Sequence, residues 1–157
     1  MKKQILSIAL GLVTMAIGTT TTAADKNPVS SKKLTANEKA VKDFTKQFKN
    51  SANPTIYSST DGFIVSADSA GNKITSAYNK KGNWVYTIER YAAENLAKDI
   101  VDIVKDSYED YAIAGMEKID QSGYNTVYIV HLEDSHSIKT IRVKNDEVEL
   151  IQDFKKG

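Results

Sequence analysis

The sequence predicts an α+β protein, with two tandem helix-plus-four-strand units building an antiparallel sheet. Three observations carry that reading. Between Asp61 and Tyr91, short alternating runs are punctuated by Asp61-Gly62, Gly71-Asn72 and Gly82-Asn83, the pattern of an antiparallel meander. Two segments with apolar residues three and four apart each precede such a set of runs. The order helix, then four strands, occurs twice.

The 157 residues suit one domain or two small ones, and the formal net charge is +1. The first 24 residues read as a secretory signal peptide: Lys2-Lys3, a short apolar run from Ile5 to Ile17, then small residues up to Ala23-Ala24. Cleavage is expected after Ala24. The apolar run is shorter than the roughly 20 residues a membrane-spanning helix needs, which weighs against a retained anchor. Removal takes two lysines and leaves a near-neutral chain without a second candidate span. Such a chain lacks the basic field of a non-specific nucleic-acid binder. There is no cysteine, so disulfides, thiol catalysis and a lipidated N-terminal Cys are excluded.

Residues 25–34 form a polar leader expected to be disordered. Thr35 and Glu38 match a capping box, and Ala40, Val41, Phe44 and Phe48 make an amphipathic helix of about 14 residues ending near Asn50. Strands are expected at Thr55–Ser59, Phe63–Ala67, Lys73–Asn79 and Trp84–Tyr91. Along the last, Trp84, Tyr86 and Ile88 should share one face, with Val85, Thr87 and Glu89 on the other. From Ala93 the period changes, and Leu96, Ile100, Ile103 and Val104 make a second apolar helical stripe. Four further strands follow at Tyr111–Ile119, Tyr124–Leu132, Ser137–Val143 and Glu147–Phe154, with turns at Gln121-Ser122-Gly123, Glu133-Asp134-Ser135 and Asn145-Asp146. The repeats span about 35–91 and 93–154. With no Pro- or Gly-rich linker between Tyr91 and Ala93, one continuous sheet with both helices on one face is preferred over two separate four-stranded domains.

No catalytic constellation is present. His131 and His136 are the only histidines, and neither lies in a nucleophile motif. The run His131-Leu132-Glu133-Asp134-Ser135-His136 could in principle hold a metal. A spacing of five on a strand, however, puts the two imidazoles on opposite faces, and a polar hairpin tip is the simpler reading. Asp68–Asn72 lacks the spaced carboxylates of a calcium loop. No cofactor or metal is therefore expected. The aromatic residues are more informative. In the strand Tyr124–Leu132 both faces are apolar, with Tyr124, Tyr128, Val130 and Leu132 on one and Val127 and Ile129 on the other. Only one face can pack on helices. The other is either a partner surface or ordinary sheet decoration. Under the first reading Tyr57, Tyr78, Trp84, Tyr86 and Tyr128 are the candidate anchors for a protein or peptide partner. The sequence leaves open which of the five share a face.

The runs Phe63-Ile64-Val65 and Ala77-Tyr78-Asn79-Lys80-Lys81-Gly82-Asn83-Trp84 form one half of a recognisable pattern. The Ile100/Ile103/Val104 helix and Tyr108-Glu109-Asp110-Tyr111 form the other. Together they resemble the PepSY-like family, small exported proteins mostly of Bacteroidetes whose fold is similar to that of β-lactamase inhibitor protein. The resemblance covers roughly Val41 to Leu150. It departs from the family at Leu96-Ala97, where a Leu-Pro pair is usual, at Glu109, where Pro is common, and at Asn145-Asp146, where Asp-Gly is usual. It implies an α+β sheet with helices on one face and an export address. It does not imply inhibition of a β-lactamase, which belongs to a fold relative. The expected function is a non-enzymatic periplasmic or secreted binding module using its open sheet face, with a sensor or carrier of a small ligand or metal as the alternative.

Overall fold

Thr35 starts the first helix, α1 (Ala36–Gln47). Its N–H donates to the Glu38 carboxylate at 2.8 Å, closing the capping box and satisfying an orphan donor of the first turn. The helix ends at Gln47, three residues short of the expected end, because Ser51 and Phe48 close a turn that redirects the chain. The structure, a computed structural model, describes residues 34–157. The expected signal peptide and nearly all of the expected leader lie outside the described residues.

Four strands follow: β1 (Ala52–Ser59), β2 (Gly62–Ser69), β3 (Asn72–Asn79) and β4 (Trp84–Tyr91). β1 begins three residues before the expected Thr55 and includes Pro54. It tolerates the missing donor because it is an edge strand. Next come a short 3-10 turn at Ala93–Asn95 and a second helix, α2 (Lys98–Ser107). The expected single helix from Ala93 is thus interrupted, with Leu96 and Ala97 extended between the two pieces. The second set is β5 (Ala112–Gln121), β6 (Val127–Glu133), β7 (Ser137–Lys144) and β8 (Glu147–Lys155). β6 starts later than expected, leaving Tyr124 in the preceding turn and 64% exposed.

The eight strands form one antiparallel sheet in sequence order, with β1 and β8 at its edges. Directly opposed residues of antiparallel neighbours project to the same side, so the register assigns the faces. Val65 pairs with Ser76, Ser76 with Thr87 and Thr87 with Asp120. Two residues before Asp120, Lys118 pairs with Tyr128, which pairs with Val143. All of these share one side. Phe44 of α1 packs there with Val65, Ala67, Ile74 and Tyr78. Ile100 and Val104 of α2 pack there with Met116, Val130, Leu132, Ile141 and Val143. Each helix therefore buries a separate cluster on the same side of the sheet. Among the described residues, no helix covers the other side, and none is long and apolar enough to cross a membrane.

Candidate binding face

On the uncovered side the register builds rows of side chains that run across the strands. One row is Tyr57, Ile64, Ala77 and Tyr86, contributed by β1 to β4. The next is Ile88, Ile119 and Val127, from β4 to β6. These two rows make a mostly apolar strip on a side that no second layer covers. A charged row bounds it: the Arg90 guanidinium meets the Glu117 carboxylate at 2.7 Å, and farther along Arg142 pairs with Glu149. Both exposed ion pairs lie across directly opposed strand positions. These two pairs are matched within the chain; the same side also carries the exposed Lys73 opposite Arg90 and, beyond the strip, the exposed Ile138 opposite Phe154.

The five candidate anchors separate. Tyr57 and Tyr86 lie on the uncovered side, in the same row, and Tyr57 is 41% exposed. Tyr78 lies under α1, only 2% exposed, and its hydroxyl donates to Asp43 Oδ2 at 3.2 Å. Burial, then the Asp43 charge, pushes the phenol well above its usual range. It therefore serves the core. Tyr128 packs on the α2 cluster. Trp84 sits with the α1 cluster, and its indole N–H donates to Thr87 Oγ1 at 2.9 Å.

The placement of Trp84 corrects the expected alternation. Ala77 pairs with Tyr86 but Tyr78 with Trp84, which leaves Val85 as an extra residue. That bulge shifts the parity of the strand by one, so Trp84 joins Thr87 rather than Tyr86. No residue type at 84–86 announces the bulge. The sequence pattern sets Ile88 beside Tyr86, as the register does, but does not mark Ile64 and Ile119 as members of this strip. Their signal was present, because β2 and β5 carry apolar residues at both parities.

Between the two helices, the covered side carries a polar cluster on β4 and β5. Lys118 Nζ lies 3.3 Å from Glu89 Oε1 and 2.8 Å from Asp120 Oδ2. Burial alone would lower the ammonium, but the hydrogen bond to Asp120 and the Glu89 charge outweigh it and raise it. Burial likewise opposes the charged form of Asp120, yet bonds from Lys118 and Thr126 hold it below its ordinary value. Tyr91 is pushed up to about 12 by burial and by the neighbouring Glu89. The cluster satisfies itself internally.

The two histidines are far apart in role. His131 faces the uncovered side, with Nδ1 3.3 Å from Thr140 Oγ1. His136 sits in the turn before β7, where Nδ1 is 2.6 Å from Ser135 Oγ. Among the described residues no three His, Asp or Glu side chains converge as metal ligands. Among the described residues, shallow hollows of about 310 Å³ beside Val41 and Ile56 and about 170 Å³ beside Tyr57 and Lys73 stand out. Sites for drug-sized ligands span roughly 300–1,000 Å³ and bury most of the ligand; the first hollow reaches only the low end of that range, the second falls below it, and both are open.

No family model and no curated protein sequence matches the chain. Solved structures do. A BLIP-like protein from Bacteroides fragilis superposes with a TM-score of 0.56 at 13% identity, over 81% of this chain and 92% of that one. The chain has the fold of these Bacteroides proteins. A DUF2874 family protein from Bacteroides ovatus gives a TM-score of 0.55 at 9% identity, covering 74% of this chain and 85% of its own. A Bacteroides eggerthii protein, provisionally classed as periplasmic, gives 0.55 at 7% identity over 74% and 86%. At these identities the likeness establishes an α+β architecture with an open antiparallel sheet.

Proposed function

We propose that the protein is an exported, non-enzymatic binding module that engages a protein or peptide through the uncovered side of its sheet. One observation carries this reading. The side without helices sets Tyr57, Ile64 and Tyr86, around the buried Ala77, in one row beside Ile88, Ile119 and Val127 in the next. A contiguous apolar strip on an open side is the usual mark of a protein contact. Tyrosines offer large contact area at low entropic cost, which makes Tyr57 and Tyr86 its anchors. Tyr78, Trp84 and Tyr128, on the helix-bearing side, are left out of this reading. The N-terminal charge and apolar pattern, together with the provisional class of the B. eggerthii relative in fold, support a periplasmic or secreted address. The two helix-plus-four-strand segments are read as tandem copies of one unit.

The test is capture from periplasmic extract by the purified protein and by its Tyr57→Ala/Tyr86→Ala variant. A partner enriched by the parent and lost by the variant is expected, with both proteins melting within a few degrees of each other. Equal capture by the two would defeat the assignment of the site. A small molecule that stabilises the protein in thermal-shift screening and is retained by the variant would favour a carrier instead.

A further inference from the structure

The two helices carry opposite charges at equivalent positions. Aligned sixty residues apart, α1 and α2 match in what they bury: Ala40 with Ile100 and Phe44 with Val104. Both leave by the same turn. Phe48 N–H donates to Phe44 O at 2.9 Å and Ser51 N–H to Phe48 O at 3.0 Å. Sixty residues on, Tyr108 donates to Val104 O at 2.9 Å and Tyr111 to Tyr108 O at 3.1 Å. Each helix then enters a strand, β1 or β5. The four antiparallel pairings that separate these strands give them the same sense within the twisted sheet.

Four outward positions of the helices invert in sign, while Lys105 aligns with the neutral Thr45. Glu38 aligns with Lys98, and Lys39, Lys42 and Lys46 align with Asp99, Asp102 and Asp106. Just past the helices, Lys49 aligns with Glu109. All ten side chains of the inverted pairs belong to exposed residues. Within one chain these faces do not meet. The α1 cluster lies on β2 and β3 and the α2 cluster on β5 to β7, several strands apart at about 4.8 Å each. That separation exceeds the roughly 8–10 Å over which salt screens exposed charges.

We propose that the helix-bearing side pairs with a second copy of the chain. The two-fold axis runs parallel to the helices and sets α1 of each protomer against α2 of the other. This rotation preserves helix direction and exchanges left for right, so aligned positions face each other. Lys39, Lys42 and Lys46 then meet Asp99, Asp102 and Asp106, twice over, with Asp102 shared with Lys98 at 2.6 Å and Lys39 with Asn83. An axis across the helices would instead place α1 on α1, lysine against lysine. Charge therefore selects one arrangement, and the contact closes on itself as a dimer. Exposed ion pairs are individually weak and screened, so the dimer forms at low ionic strength and dissociates in salt. This contact uses the side of the sheet opposite the proposed partner strip and stands independently of it.

Sedimentation velocity on the purified protein, at low salt and at high salt, tests the arrangement with two charge-reversed variants. Lys42→Glu/Lys46→Glu makes both helices acidic, and Asp99→Lys/Asp106→Lys makes the α2 face basic like α1. The parent should be dimeric at low salt and monomeric at high salt. Each variant alone should stay monomeric, and an equimolar mixture of the two should recover the dimer. Recovery on mixing also shows that both variants fold. A parent that is monomeric at low salt, a dimer indifferent to salt, variants that still dimerise alone, or a mixture that stays monomeric would each overturn the proposal.

Discussion

Trp84 and Tyr86 are two residues apart, yet one belongs to the core and the other to the outer side. The difference is the single extra residue Val85, a reminder that side-chain direction along a strand depends on pairing as well as on count. Gly82 shows a second constraint of this kind. It sits at φ +70°, and a Cβ there would lie 2.2 Å from the Ala36 carbonyl oxygen. Gly82→Ala should therefore cost about 1–3 kcal/mol, from backbone strain together with displacement of the start of α1; urea denaturation would measure it. Lys118 bridges two half-buried carboxylates. Lys118→Ala should destabilise by about 1–3 kcal/mol because Glu89 and Asp120 lose their shared cation. A change within 0.5 kcal/mol would show that solvent screens the cluster fully. Glycine turns such as Gly82-Asn83 were legible in the sequence. The Val85 bulge and the Lys118 cluster were not, because both depend on which strand lies alongside.

At the scale of elements, helix periodicity did most of the predictive work. The apolar positions of α1 and α2 are the residues that pack, since a 3.6-residue period leaves one stripe facing the sheet. Element ends were less legible. The second helix breaks at Leu96-Ala97, and β1 runs through Pro54 because the edge of a sheet excuses a missing donor. The two helices bury distinct clusters, one around Phe44 and the other including Leu132. Phe44→Ala should cost about 3–5 kcal/mol and Leu132→Ala about 2–5 kcal/mol. Since the residues share no cluster, the double variant should lose the sum to within about 0.5 kcal/mol. Strong non-additivity in denaturant titrations would mean that the two clusters are mechanically coupled through β4 and β5.

At the scale of the whole molecule, stability should fall off at both ends of the pH range. Asp120 and Asp134 have folded values below the ordinary carboxylate range, Asp134 down to about 2 through backbone N–H bonds from His136 and Ser137. Their contribution is present above the unfolded carboxylate range of about 4 and is lost as pH falls through the folded values. Lys118 has a raised folded value, so its contribution is complete below the unfolded value near roughly 10.4 and is lost as pH rises through the folded one. Melting temperature against pH should thus decline below about pH 4 and in strong alkali. Lys118→Met should flatten the alkaline limb. The chain is also polarised in charge: residues 34–91 carry eight basic and five acidic side chains, residues 92–157 eight and fourteen. A self-association that ignored salt would be hard to reconcile with that polarity.

By itself the sequence determined the fold class, the number and order of the elements, and the residues that each helix buries. Those properties follow from local periodicity, turn chemistry and capping, which are written within a few residues of where they act. Tertiary structure alone decided which aromatic residues face outward. It also decided that Tyr78 and Trp84 serve the α1 core and that Tyr57 and Tyr86 stand in one row. The reason is that a side chain's face in a sheet is set by register and bulges, and these are settled between strands rather than within them.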